Sequence, residues 1–185
     1  MMYRLRDIVN IKSGVFAKGD ANPDLYYIQA TDFNKQRNWD KKLNPVLSNS
    51  EKLKKHILNS GELLFAAKGK DFFAVVYDGR YEPAVASSTF LVLQVHHSGV
   101  LPDFVAWFLN HPKTQSLLWS FAKGSGTPSI SISVLEEIEI SIPDLSKQTS
   151  ILELDRLQKV EKKLHKQIYN LREDYLNELT YKSLQ

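Results

Sequence analysis

The chain has 185 residues, 43% hydrophobic and 24% charged, enough for one globular domain with its own core, or one domain plus an extension. Cysteine is absent, which excludes disulfides, thiolate metal sites and a cysteine nucleophile. The formal charge of +3 excludes a strongly basic or acidic protein, but residues 34–56 hold seven Lys/Arg against two Asp/Glu and residues 71–144 three against eight, an asymmetry that permits a basic face for a polyanion.

Residues 4–9 read as a short helix with Leu5, Ile8 and Val9 facing inward. Gly14 and Gly19-Asp20 mark turns. Residues 26–30 are strand-like in their aromatic and β-branched content. Residues 32–42 are polar and aperiodic, an exposed loop. A basic helix is predicted over residues 50–59, stopped by Gly61. Three apolar runs, 62–67, 72–77 and 84–95, are separated by turn residues and read as buried strands. Pro102 suits the first turn of a helix carrying Phe104, Val105, Phe108 and Leu109. Pro112 restarts it, with Leu117, Leu118 and Phe121 at helical spacing, and residues 124–128 break it. Residues 138–142 alternate as a half-buried strand.

At Pro143 the character of the chain changes. Residues 145–181 contain no Gly and no Pro, and apolar residues recur at Leu157, Val160, Leu164, Ile168, Leu171, Tyr175 and Leu179, in steps of 3, 4, 4, 3, 4 and 4. That is one continuous face of a helix. It would run about 55 Å at 1.5 Å per residue, longer than most globular helices, and its stripe needs a partner. The fold class expected is α+β, with mixed or antiparallel strands over residues 1–143 and a long helical arm, a spacer or dimerisation element, over residues 144–185.

Catalytic patterns are missing. Gly124-Ser125-Gly126 precedes no Lys-Ser/Thr pair, and no strand–GxGxxG–helix unit is present. Asn44-Pro45-Val46-Leu47 lacks the second proline and the aromatic residue of the Asn-Pro-Pro-aromatic motif of amino-methyltransferases. None of His56, His96, His97, His111 and His165 stands at a metal-ligand spacing. Ser87-Ser88 is not in a nucleophile elbow, and Glu136-Glu137 reads as a solvated turn. No catalytic residue, no metal and no cofactor are expected in this chain. No apolar run approaches the roughly 18 residues of a membrane span, and the opening Met1-Met2-Tyr3-Arg4 is not of signal-peptide kind, so a cytoplasmic protein is expected.

Two segments suit an anionic polymer. Residues 34–42 mix Lys35, Arg37, Lys41 and Lys42 with Asn34, Gln36 and Asn38, pairing phosphate-seeking cations with side chains that read base edges. Trp39 either stacks on a base or anchors the loop. Residues 123–131 offer small residues and hydroxyls to phosphate oxygens, from Lys123, Ser125 and Thr127. Lys68-Gly69-Lys70 adds a compact basic turn, and Lys18 a weaker candidate between Gly14 and Gly19. Each segment read alone is more simply a solvated loop or a plain linker.

The order of these segments resembles the specificity subunits of type I restriction–modification systems. The resemblance is carried by Leu5-Arg6-Asp7-Ile8-Val9 with Lys12-Ser13-Gly14, by Tyr27-Ile28 with Thr31-Asp32-Phe33, and by Gly61-Glu62-Leu63-Leu64-Phe65-Ala66-Ala67-Lys68-Gly69. It is most specific in Phe121-Ala122-Lys123-Gly124-Ser125-Gly126-Thr127-Pro128-Ser129-Ile130-Ser131 and in Ile142-Pro143-Asp144-Leu145 with Gln148 and Ile151. Where many relatives have Asn-Gln, this chain has Ala86-Ser87-Ser88-Thr89-Phe90. The resemblance implies a target recognition domain on a coiled-coil spacer. A full subunit carries two such units and this chain one, without internal repeat, as in a half-subunit or in one excised or truncated unit. It implies double-stranded DNA as ligand and a methyltransferase subunit as partner, itself holding S-adenosylmethionine, with a restriction subunit beside it. A homodimer through the stripe would restore the two-domain plan. A coiled-coil adaptor that binds only protein, and a nuclease or methyltransferase without familiar motifs, are the alternatives.

Overall fold

The computed structural model describes residues 1–20, 22–123 and 126–183, which divide into two units, Met1–Leu145 and Ser146–Gln185.

In the first unit β1 (Met2–Arg4) passes through a single 3-10 turn, Leu5–Asp7, into β2 (Val9–Ser13). The helix predicted over residues 4–9 is therefore only this turn. The N–H of Arg4 donates to Asp7 Oδ2 at 2.9 Å, and strand pairing claims the residues on either side. The inward set is as expected, with Leu5, Ile8 and Val9 all buried. β3 (Tyr26–Ile28) follows, then a one-turn α1 (Glu51–Lys54). The longer basic helix predicted over residues 50–59 does not form. Ile57 pairs with Val85 and the N–H of Leu58 donates to Ala84 at 2.8 Å, so residues after Lys55 gain sheet-like bonds, and Leu53 and Ile57 pack on Leu25, Leu47 and Val85.

β4 (Leu63–Ala66), β5 (Phe73–Val76), β6 (Ala84–Ala86) and β7 (Phe90–Val95) come from the three apolar runs. The third run is split. The N–H of Phe90 donates to Ser87 at 2.9 Å and the Ser87 and Thr89 hydroxyls meet at 2.6 Å, a tight turn that sends β6 and β7 to different sheets. α2 (Pro102–Asn110) and α3 (Pro112–Phe121) follow, then α4 (Ile132–Glu136) and β8 (Glu139–Ser141). α4 was not predicted. Its signal is Ser131, whose Oγ accepts the Val134 N–H at 3.3 Å as a helix cap.

The main sheet has the order β2-β7-β4-β5, antiparallel throughout, with β1-β8 antiparallel and β3-β6 parallel as separate pairs. β4 is buried along its whole length, as a central strand covered on both faces should be. Asn110, at the end of α2, donates to the Ala74 carbonyl at 2.7 Å and accepts the Ala74 N–H at 2.9 Å, so it occupies backbone groups of the edge strand β5 that would otherwise invite another chain.

Gly14 ends β2 where the chain crosses the β6–β7 turn. Its N–H donates to Phe90 and that of Val15 to Ala86, at 2.9 and 2.8 Å. A Cβ on Gly14 would lie 2.1 Å from the Ser87 carbonyl oxygen and 2.7 Å from that of Ala86. Both atoms are backbone, so neither can step aside. Gly14→Ala is expected to lower unfolding free energy by about 1–3 kcal/mol, measured by urea denaturation. A variant within about 0.5 kcal/mol of the parent would show that this crossing is loose.

The second unit consists of the rest of α5, a single helix of 38 residues over Leu145–Lys182. With neither Gly nor Pro in it, nothing interrupts its hydrogen-bond ladder. Among the described residues no helix is long and apolar enough to cross a membrane.

Candidate nucleic-acid interface

Register gathers the polar loops of the first unit. In the four-stranded sheet Ser13 pairs with Leu91, Ala66 with Phe90, and Ala66 with Phe73. One end of the sheet therefore carries the connection that follows β2, the β6–β7 turn and the β4–β5 turn. Lys18 lies on the first of these and Lys68 and Lys70 on the last, all exposed.

The segment after α3 is bonded to the same turn. Lys123 and Ser129 exchange backbone hydrogen bonds at 3.1 and 2.9 Å, Gly69 donates to Pro128 at 3.0 Å, and Ile130 donates to Ala67 at 2.9 Å. Gly69 makes its bond at φ 120°, a backbone region that glycine enters without steric penalty. The result joins Lys68, Lys70, Lys123 and Thr127 on one rim, with all four side chains exposed. Ser125 lies outside the described residues.

The third basic segment reaches this end through aromatic packing. Phe33 and Trp39 pair across residues 34–38, and their rings lie 4.4 Å apart. Asn34 Oδ1 accepts the N–H groups of Gln36 and Asn38 at 2.9 and 3.1 Å, while the N–H of Arg37 donates to the Asn34 carbonyl at 2.8 Å. Arg37 has φ 65°. The aperiodic loop expected over residues 32–42 is thus an ordered hairpin with Lys35 and Asn38 exposed and Arg37 half-buried. Asp32 is buried beneath it, accepting the Gln29 N–H at 2.8 Å and paired with Lys41 at 3.5 Å. Trp39 is an anchor rather than a free stacking platform: it meets Tyr81 at 4.9 Å and its Nε1 donates to Asp78 at 3.3 Å.

Phe33 also lies 5.9 Å from Phe73 and 6.2 Å from Phe90, at the sheet end already described. The neighbouring Phe72 points the other way and lies 4.5 Å from Trp119 of α3. Side chains alternate across a strand, so Phe72 and Phe73 hold the two basic segments on opposite sides of one turn. A rim of flexible cations with amide and hydroxyl groups between them can bind phosphates and offer hydrogen bonds to base edges.

Among the described residues no group of three His, Asp or Glu could hold a metal ion. Glu62, buried, pairs with Lys12 at 3.1 Å and accepts the Asn59 N–H at 2.9 Å, a structural pair. Burial, with Lys55 and Lys12 nearby, holds the His56 imidazole below its usual range. Tyr77 donates to the Tyr81 carbonyl, and burial raises its phenol well above the ordinary value. Glu136-Glu137 is no dyad either, since Glu137 pairs with Arg4 at 2.9 Å and also with Arg6.

On α5 the predicted stripe is continuous and open. Leu157, Val160, Leu164, Ile168, Leu171, Tyr175 and Leu179 are each between 43% and 67% exposed.

The family model of the type I restriction modification DNA specificity domain matches residues 1–172. Among solved structures, the chain is similar to a type I restriction–modification system S subunit from M. genitalium, at 13% identity and TM-score 0.59, covering 88% of this chain and 41% of that one. It is also similar to the HsdS subunit from Thermoanaerobacter tengcongensis, at 16% identity and TM-score 0.59, covering 86% and 37%. The chain thus spans about two fifths of the length of these structures. No curated protein matches it.

Proposed function

Because this chain belongs to the family of type I restriction modification DNA specificity domains, we propose that it is a non-catalytic recognition subunit that reads one half of a bipartite DNA target. The observation that carries this reading is the sheet register. It brings Lys18, Lys68 and Lys70 to loops at one end of one sheet, where backbone bonds add Lys123 and Thr127 and the packing of Phe33 on Phe73 and Phe90 adds Lys35, Arg37 and Asn38. The cations supply affinity through phosphates, and the amides and hydroxyls supply selectivity.

The apolar stripe of α5 pairs two copies antiparallel. Two recognition units related by a two-fold axis read identical half-sites in opposite directions. The assembled dimer docks methyltransferase subunits, which hold S-adenosylmethionine and flip the target adenine, and a restriction subunit joins them in the cytoplasm. Incubating the full chain with a randomised duplex pool tests this, alone and with its host's methyltransferase subunit. Expected is enrichment of a palindromic sequence split by an unconstrained spacer, with no methylation or cleavage by the chain alone. Failure to enrich any sequence in both forms would overturn the reading in favour of a protein-binding adaptor.

A further inference from the structure

Phe16 is 78% exposed, more than any other aromatic side chain among the described residues, and it stands two residues after Gly14 on the loop leaving the basic end of the sheet. The backbone before it is fixed. The N–H of Val15 donates to Ala86 at 2.8 Å, the Val15 carbonyl accepts the Tyr27 hydroxyl at 2.9 Å, and Val15 pairs with Ser87. Val15 and Ala17 both pack against Leu25, Leu47 and Val85. In extended chain, alternate side chains point in opposite directions. With Val15 and Ala17 packed inward, Phe16 and Lys18 are both left exposed.

The outward position of Phe16 therefore follows from the packing of its neighbours. A single exposed apolar residue on a protein surface needs no explanation. This one is different in its setting: a whole phenyl ring held on an anchored loop, beside Lys18, at the end of the sheet that also presents Lys68, Lys70 and Lys123. A cationic rim draws a duplex in by its phosphates. The group it would then press against the duplex beside Lys18 is a ring with no charge and no hydrogen-bonding capacity. Such a ring has no favourable contact with phosphate, and its matching surfaces on DNA are the faces of bases and the C5-methyl of thymine.

We propose that Phe16 is a base-contacting residue of the recognition surface, making an apolar contact that discriminates sequence while Lys18 holds the adjacent phosphate. The inference rests on the DNA-binding reading above and adds a residue to it. The test uses the full chain and the duplex enriched by the wild type. Phe16→Ala should lower affinity for that duplex about tenfold, with the salt dependence unchanged, because no counterion is released by an apolar contact. Binding to an unrelated duplex should stay the same, and Phe16→Leu should recover most of the loss. Selection repeated with Phe16→Ala should relax one or two base pairs and keep the others. The ring is exposed, so thermal melting should match the wild type and folding does not confound the result. Unchanged affinity for the target, an equal loss on target and unrelated duplex, or a changed salt slope would each overturn the role of Phe16 while leaving DNA recognition standing. A wild-type chain that enriches nothing overturns DNA recognition itself.

Discussion

Changing Lys68, Lys70 and Lys123 together to alanine is expected to flatten the dependence of log affinity on log salt by about three units. It should also lower DNA affinity near 0.1 M salt by roughly two to three decades. Each lysine that neutralises a phosphate releases about 0.9 counterion from B-DNA, and at that salt concentration each release is worth nearly a factor of ten. The fold should be indifferent to the change. The rim is held by backbone bonds of Gly69 to Pro128, Lys123 to Ser129 and Ile130 to Ala67, none of which uses a lysine side chain. All three side chains are exposed, so thermal melting should be within experimental scatter of the parent. The loss should fall equally on target and unrelated duplexes, since phosphate contacts carry no sequence information. A triple variant with undiminished slope would place the DNA on another face of the unit.

The pieces of this rim were legible in the sequence, but their assembly was not. Lys68-Gly69-Lys70 announces a basic turn by composition, and Gly69 does take a conformation that suits glycine, at φ 120°. Lys123 and Thr127 stand in a segment whose small residues mark a break between elements. What joins the two is a ladder of backbone bonds between residues about sixty positions apart, and no local pattern encodes such pairing. The same limit explains the errors. Residues 4–9 and 50–59 have helical spacing, yet β1, β2 and β6 offered better bonds to their backbones. Residues 32–42 lack periodicity because their order comes from an asparagine side chain and a pair of aromatic rings. α5 was legible almost to the residue, because a helix carries its hydrogen bonds within itself and declares its face at each turn. Phe16 carries no motif; its meaning depends on the packing of Val15 and Ala17.

Replacing Leu164, Ile168 and Leu171 by aspartate should abolish the dimer proposed for the α5 stripe and leave a monomer. These side chains, about half to two thirds exposed in the single chain, lie along the middle of the α5 stripe. Burying a fully exposed Leu or Ile side chain contributes about 1.5–3 kcal/mol, so with about half of each still exposed, losing three per protomer removes roughly 2–5 kcal/mol from each copy and at least about 4 kcal/mol from the pair. That alone weakens association by at least about three decades, before counting the repulsion of carboxylates brought together at a two-fold axis. The spacing of the stripe averages near 3.6 residues, so the two helices should cross with little supercoil rather than wind as a strict heptad pair. The appropriate control places aspartates at Lys162 and Lys166, half a turn away from the stripe at 100° per residue. That pair changes charge and helix propensity in a similar way without touching the apolar face, and should leave the dimer intact. Sedimentation at tens of micromolar reads both variants against the parent. The first unit should melt alike in all three, because Met1–Leu145 carries its own core. DNA binding then divides into two contributions. A monomer should still recognise one half-site through the basic rim, with the affinity of a single unit, and should lose the gain that comes from tethering a second. A wild-type chain that sediments as a monomer would instead assign the stripe to a different protein, and the palindromic target expected of a two-fold dimer would go with it.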